Sequence, residues 1–301
     1  MRTLTGACLL GATLLSTVSA AGASSPVPFQ ANERIAFASR HYGETEIYVM
    51  NAEGSHRRRL TRKPGDDRNP SWSPDGRRIV FTHGKVYSTF REILVMSADG
   101  SGQRRLTSNQ VGDDDAVWSP DGRQIAFTRH SVPGRISGIF VMNADGSGQR
   151  WLAQTEGGSE PAWSPDGSRI AFSRYSYSRA TAEIDVIDAA GGGRRRLTRP
   201  PSGKSDHSPD WSPDGRRIAF SRGLADSLIY VMNADGSGQR FLTRTEGDAR
   251  SPDWSPDGMR IAFDGDAQIH MINADGSGLR QLTRDWGRNY DPAWSTTPSL
   301  Q

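Results

Sequence analysis

Short runs in which apolar and polar residues alternate recur along the chain, separated by Asp-Gly pairs. One run is typified by Ile229-Tyr230-Val231-Met232 and ends in Asn233-Ala234-Asp235-Gly236. Another reads Ile-Ala-Phe or Ile-Val-Phe and starts at Ile79, Ile125, Ile170, Ile218 and Ile261, each time after Trp-Ser-Pro-Asp-Gly. Alternation of β-branched and aromatic residues with period two predicts strands. Asp-Gly between such runs predicts tight hairpins, because the favoured hairpin turns need positive φ.

These runs belong to one repeat. Its tryptophan falls at Trp72, Trp118, Trp163, Trp211 and Trp254, and the motif decays at Trp294-Ser295-Thr296-Thr297-Pro298. Successive tryptophans stand 46, 45, 48, 43 and 40 residues apart. Each unit holds four short strands: the Trp strand, the Ile-Ala-Phe strand, the Ile-Tyr-Val-Met strand and a last short Arg-Leu-Thr strand. Four strands in about 45 residues is the anatomy of a propeller blade. A sixth Ile-Ala-Phe, at Ile35-Ala36-Phe37, has no Trp strand before it, and Trp294 has no Ile-Ala-Phe after it. The expected fold is therefore all-β, a six-bladed β-propeller of four-stranded blades, with the C-terminal strand completing the N-terminal blade and closing the ring. A solenoid would leave exposed end repeats, and no capping sequence is present.

Composition sharpens this picture. Hydrophobic residues make up 35% of the 301 positions and mean hydropathy is -0.63, yet eight Trp, ten Phe and seven Tyr supply large core side chains. The 33 Gly and 17 Pro suit a many-turned protein. Arg2, a short apolar stretch and the small residues from Val18 to Ala23 predict a secretory signal peptide over 1–23. A linker over 24–33, the propeller over 34–295 and a tail over 296–301 complete the expected organisation. Cys8 is the only cysteine, so the processed chain is expected to use neither disulfides nor thiol chemistry. No second apolar run is long enough to span a bilayer. The formal charge of +3 comes mostly from arginines that recur with the repeat, which predicts a solvated rim and no nucleic-acid partner.

Residues 161–174, Pro-Ala-Trp-Ser-Pro-Asp-Gly-Ser-Arg-Ile-Ala-Phe-Ser-Arg, and residues 229–236, Ile-Tyr-Val-Met-Asn-Ala-Asp-Gly, resemble the repeat of the TolB propeller family. The resemblance runs from about residue 33 to 295. It implies a six-bladed propeller outside the cytoplasm, and for TolB itself a periplasmic adaptor that binds an outer-membrane lipoprotein and an inner-membrane-linked partner. About ten residues separate the expected signal peptide from the first strand, so the expectation is a propeller without the α/β domain that precedes it in TolB. The same repeat precedes the hydrolase domain of prolyl-oligopeptidase-like enzymes, but no Gly-x-Ser-x-Gly nucleophile turn occurs here.

Strand order places both Asp-Gly turns of every unit on one face and the variable loops on the other, where binding is expected. Asn-Ala-Asp-Gly-Ser-Gly reads as a hairpin turn, since it lacks the length and terminal Glu of a calcium loop. The repeat tryptophans read as packing between blades. Asn69, Asp115, Glu160, Ser208, Ser251 and Asp291 each stand three residues before a tryptophan and are expected to ring the channel mouth. The function that follows is a non-enzymatic scaffold, exported and monomeric, that binds a protein or peptide at the channel mouth without a cofactor. Tyr87, Tyr175, Tyr177 and Trp286 are the candidate apolar contacts, and Asp115 and Glu160 would attract basic groups. The alternative is a metal-dependent lyase or hydrolase built on His41, His83, His130 and His207, since three or four histidines on one face suit a divalent metal.

Overall fold

The computed structural model describes residues 33–85, 88–130, 137–152, 154–224, 226–243 and 247–295. The expected signal peptide, the tail over 296–301 and Tyr87 lie outside these residues. The described residues form strands and turns, and no helix among them is long and apolar enough to cross a membrane.

The fold is an all-β propeller with four-stranded blades. Four sheets hold four strands each. They comprise β8(Asp113–Trp118), β9(Gln124–Arg129), β10(Gly138–Asn143) and β11(Arg150–Trp151); then β12(Gly158–Trp163), β13(Arg169–Ser176), β14(Thr181–Asp188) and β15(Arg195–Arg196). The next are β16(Ser205–Trp211), β17(Arg217–Gly223), β18(Leu228–Asn233) and β19(Arg240–Thr243), followed by β20(Ala249–Trp254), β21(Arg260–Gly265), β22(Gln268–Asn273) and β23(Arg280–Gln281). A fifth sheet has eight strands. It contains β1(Arg34–His41), β2(Glu44–Asn51), β3(Arg58–Arg59), β4(Asp66–Trp72), β5(Arg78–Gly84), β6(Arg91–Ser97), β7(Arg104–Arg105) and β24(Arg288–Trp294). Its two halves meet at a single parallel pair, Thr45 with Asp66. In the first half β24 pairs antiparallel with β1, Ile35 facing Trp294 and Arg40 facing Arg288.

The core lies between neighbouring blades. Each hydrophobic cluster joins residues of two successive four-stranded units, as where Trp72, Ile79 and Phe81 meet Ala36, Ile47 and Leu60. The repeat tryptophans sit in these seams, Trp72, Trp118, Trp211, Trp254 and Trp294 at 4–6% exposure. Over each of these five rings lies the guanidinium of the arginine that begins the Ile-Ala-Phe strand one blade earlier: Arg34, Arg78, Arg169, Arg217 and Arg260, at 4.5–5.3 Å. Where Gln124 replaces the arginine, the facing Trp163 is only partly buried.

The recurring arginines are not merely a solvated rim. Arg58, Arg104, Arg150, Arg195, Arg240 and Arg280 open the outer strands, and each donates to a carbonyl in the Asp-Gly turn region of the following blade. The last of them, Arg280, reaches Ala52 O at 3.4 Å, across the meeting of the two chain ends. Glu33 makes a second link there, accepting from the buried Arg260 at 2.9 Å through both carboxylate oxygens.

Candidate functional site

The inner strands β4, β8, β12, β16, β20 and β24 line a central channel with a cavity of about 540 Å³. Each carries one extra residue against its partner, so the register shifts between Arg68 and Ser71, Asp114 and Val117, Ser159 and Ala162, His207 and Asp210, and Arg250 and Asp253. The sixth bulge interrupts β24 opposite Ala36 and Ala38. The bulged residues are Asn69, Asp115, Glu160, Ser208, Ser251 and Asp291, all at φ of 48–54°. Proline follows five of them, and its missing N–H suits a place where the ladder is already broken. A bulge re-aims a side chain, and here all six residues line the channel.

The ring is linked from blade to blade. Asp115 Oδ2 accepts from Glu160 N at 3.4 Å, Glu160 Oε2 from Ser208 N at 2.8 Å, and Asp291 Oδ2 from Asn69 N at 3.4 Å. Two of the three carboxylates also have local support, Thr128 donating to Asp115 at 2.9 Å and Ser173 to Glu160 at 2.6 Å. Two residues deeper, Asp210 and Asp253 repeat the device by accepting from Trp254 N at 2.7 Å and Trp294 N at 2.6 Å.

Crowding of acids shapes their ionisation. Burial, with Asp114 and Glu160 close by, raises the Asp115 carboxyl well above the usual carboxylate range. Burial also pushes Asp291 up to about 7, with Asp264 adding to it, and Asp264 itself to about 6. It lifts Asp210 to about 7 and, with Asp210 alongside, raises Asp253 well above its usual value. Glu160 goes the other way: burial disfavours its charge, but His207, Ser173 and Ser208 N–H together hold it at about 2. Burial lowers the His207 imidazole, and the Glu160 carboxylate more than offsets this, so His207 sits above its ordinary value. The mouth thus pairs one firmly ionised carboxylate with a histidine that favours its charged form, and surrounds them with acids whose ionisation burial disfavours.

The structure brings Asp115 and Glu160 together in the channel wall. Of the apolar candidates it brings Tyr175 and Tyr177 together. They meet edge to face at 5.1 Å, Tyr175 near the end of β13 and Tyr177 just after it, at 42% and 72% exposure. Trp286 stands fully exposed on the loop between β23 and β24. The four histidines do not converge. His41 lies 3.0 Å from Ser39 Oγ, His83 pairs with Asp67 at 2.6 Å, His130 is held by a backbone bond to Gly112 O, and His207 faces Glu160 at 3.6 Å. No three His, Cys, Asp or Glu side chains among the described residues are grouped to hold a metal ion. Asp210 and Asp253 were not singled out from the sequence. They stand directly before Trp211 and Trp254, where the other units have Ser, Val or Ala, and that contrast was the available signal.

Comparison with known proteins agrees with this architecture. Over 39 residues the chain is 51% identical to the Tol-Pal system protein TolB of Bordetella pertussis, a match covering 13% of this chain and 9% of that protein. TolB from Acinetobacter baumannii superimposes with a TM-score of 0.75 at 21% identity, over 87% of this chain and 66% of that one. A structure assigned as TolB from Agrobacterium tumefaciens gives 0.69 at 20% identity, over 89% of this chain and all of that one. At such identities the likeness is one of fold. The family model of the TolB beta propeller domain matches residues 15–198, 85–257 and 139–299, and the chain belongs to that family.

Proposed function

We propose that this chain is an exported, monomeric six-bladed propeller that binds a protein or peptide segment at its variable-loop face. The count of six takes the eight-stranded sheet as two blades, with β24 closing the ring on β1. Export rests on the signal-like residues 1–23 and on the kinship with Tol-Pal system proteins, which favours a periplasmic location. The observation that carries the binding reading is the channel mouth. Glu160, held ionised by His207, Ser173 and Ser208 N–H, stands with Asp115 on bulges around an open cavity, a receptor for a basic group whose arrival would also favour ionisation of Asp115. Tyr87, Tyr177 and Trp286 on loops, with Tyr175 at the end of β13, would supply apolar contacts.

Affinity capture from the native envelope fraction tests this. Partners retained by the wild-type chain at low salt are expected to be lost from the Asp115→Asn, Glu160→Gln double variant, and from wild type as salt rises. Glu160→Gln also removes the pairing with His207, so the variant is compared at a temperature where its melting curve shows it folded. If the double variant retained the same partners, and alanine changes on the Asn-Ala-Asp-Gly turns released them, the interface would lie on the opposite face.

A further inference from the structure

Tyr42 and Trp286 are the most exposed large side chains among the described residues, at 107% and 105%. The hairpin that carries the first adjoins the loop that carries the second. Tyr42 and Gly43 form the two-residue turn between β1 and β2, and the preceding His41 packs on Gly287, where an added Cβ would lie 2.5 Å from the imidazole.

Neither ring is there by default. Tyr42 has φ 50° and Gly43 φ 95°, the pattern of a hairpin turn that Asn, Asp or Gly fills more cheaply than a bulky residue. An aromatic ring held in left-handed backbone and fully in water lowers stability without adding to the core, a combination that marks functional positions. The Trp286 loop is pinned on both sides. Asp285 forms an ion pair with Arg57 and accepts from Asn289 Nδ2, and Gln268 Nε2 donates to Asp285 O and Gly287 O at 3.0 Å. A pinned, fully exposed tryptophan is an anchor whose ordering cost is already met.

Two residues before Tyr42 and two after Trp286, Arg40 and Arg288 face each other across the β1–β24 ladder. Like charges directly opposite in a sheet repel. Neither has a carboxylate within ion-pair distance among the described residues, and Asp285 is engaged by Arg57. Glu44 and Asp266 sit in exposed positions at hairpin turns and disfavour approach of an anionic bilayer. An acidic side chain that reached this pair would bridge the two guanidinium groups.

We propose that Tyr42, Trp286, Arg40 and Arg288 form a docking site that shares Trp286 with the binding face described above but not its acidic groups, for an extended segment of a partner protein that carries an acidic side chain beside an apolar one. The site is opposite in charge preference to the mouth.

The test uses the full processed chain and three fluorescent, N-acetylated, C-amidated peptides: Gly-Phe-Glu-Phe-Gly and its Gln and Lys counterparts. The Glu peptide is expected to bind at least tenfold more tightly than the other two, and less tightly as salt rises. Trp286→Ala should weaken it at least fivefold. Arg40→Ala with Arg288→Ala should abolish the preference for Glu over Gln. Tyr42→Asn should weaken binding while raising the melting temperature, a pairing that a structural role for Tyr42 would not give. Asp115→Asn with Glu160→Gln should leave binding of the Glu peptide unchanged, which separates this site from the channel mouth. Equal binding of the Glu and Gln peptides would overturn the proposal. So would adsorption to phosphatidylglycerol vesicles that depends on Trp286 in the absence of peptide preference.

Discussion

At the scale of single residues, the seams between blades are built by one repeated contact, an arginine laid on the tryptophan of the next blade. Five of the six repeat tryptophans have it and Trp163 does not, because Gln124 stands where the others carry arginine. Trp163, which faces that gap, is correspondingly the least covered of the repeat tryptophans. Gln124→Arg should therefore stabilise the protein by about 0.5–1 kcal/mol, the usual worth of an arginine over an indole face. Thermal unfolding checks this, and an unchanged or lowered melting temperature would mean that the seam tolerates the gap by other contacts. Packing of the tryptophans between blades was legible in the sequence, since they recur at a fixed place before each turn. The arginine partner was not, because the two residues lie on different blades and strand alternation says nothing about which face meets which neighbour.

At the scale of strands and turns, the Asp-Gly pairs do more than reverse the chain. Gly100 sits at φ 88° with its α-carbon against the preceding blade, where an added Cβ would lie 2.7 Å from Leu60 O. Gly100→Ala is expected to cost about 1–3 kcal/mol, from left-handed strain together with a backbone clash that no side-chain movement relieves. Ala98→Ser, two residues earlier in the same turn, serves as a control expected to cost less than about 1 kcal/mol. If the two variants melted together, the close approach would not matter. Hairpins and strand number could be read from the alternation and from Asp-Gly, which act locally. The bulges of the inner strands could be read only in part. The proline two residues before five of the six tryptophans is visible, but the left-handed conformation at Asn69, Asp115, Glu160, Ser208, Ser251 and Asp291 follows from ladder register, which the sequence does not display. All six residues line the cavity between the inner strands. The linkage of their side chains to the next blade's backbone was not inferred.

At the scale of the whole molecule, two features act on all blades at once, the junction of the chain ends and the acidity of the channel. Deleting residues 290–301 removes Trp294 from its seam and leaves β1 without its inner partner. Losing a buried ring of that size should cost about 3–5 kcal/mol and expose a strand edge that invites association. A truncated chain that stayed monomeric with an unchanged melting temperature would show that β24 does not hold the ring. The channel acids set a pH dependence whose sign can be worked out. Burial raises Asp210 and Asp291 to about 7 and Asp264 to about 6 from the ordinary 3.8. Between about pH 4 and 7 the native state therefore holds protons that the unfolded chain has released, so stability falls as pH rises through that window. His207, raised by Glu160, acts in the same direction, since its contribution is complete below 6.5 and is lost as pH climbs through its native value. The turn aspartates oppose this at lower pH. Asp166, held at about 2 by Ser164 and Ser168, gives stability that is present above 3.8 and lost as pH falls toward 2. The melting temperature should therefore peak near pH 4–5 and decline toward both pH 8 and pH 2. Asp210→Asn with Asp253→Asn keeps an acceptor for Trp254 N and Trp294 N while removing two of the titrating groups. The double variant should match wild type near pH 4.5 and exceed it at pH 8. The rise in overall positive charge on acidification is common to both proteins, so the difference between their two curves isolates the channel. Parallel curves from pH 4.5 to 8 would show that these carboxyls are solvated well enough to ionise without cost.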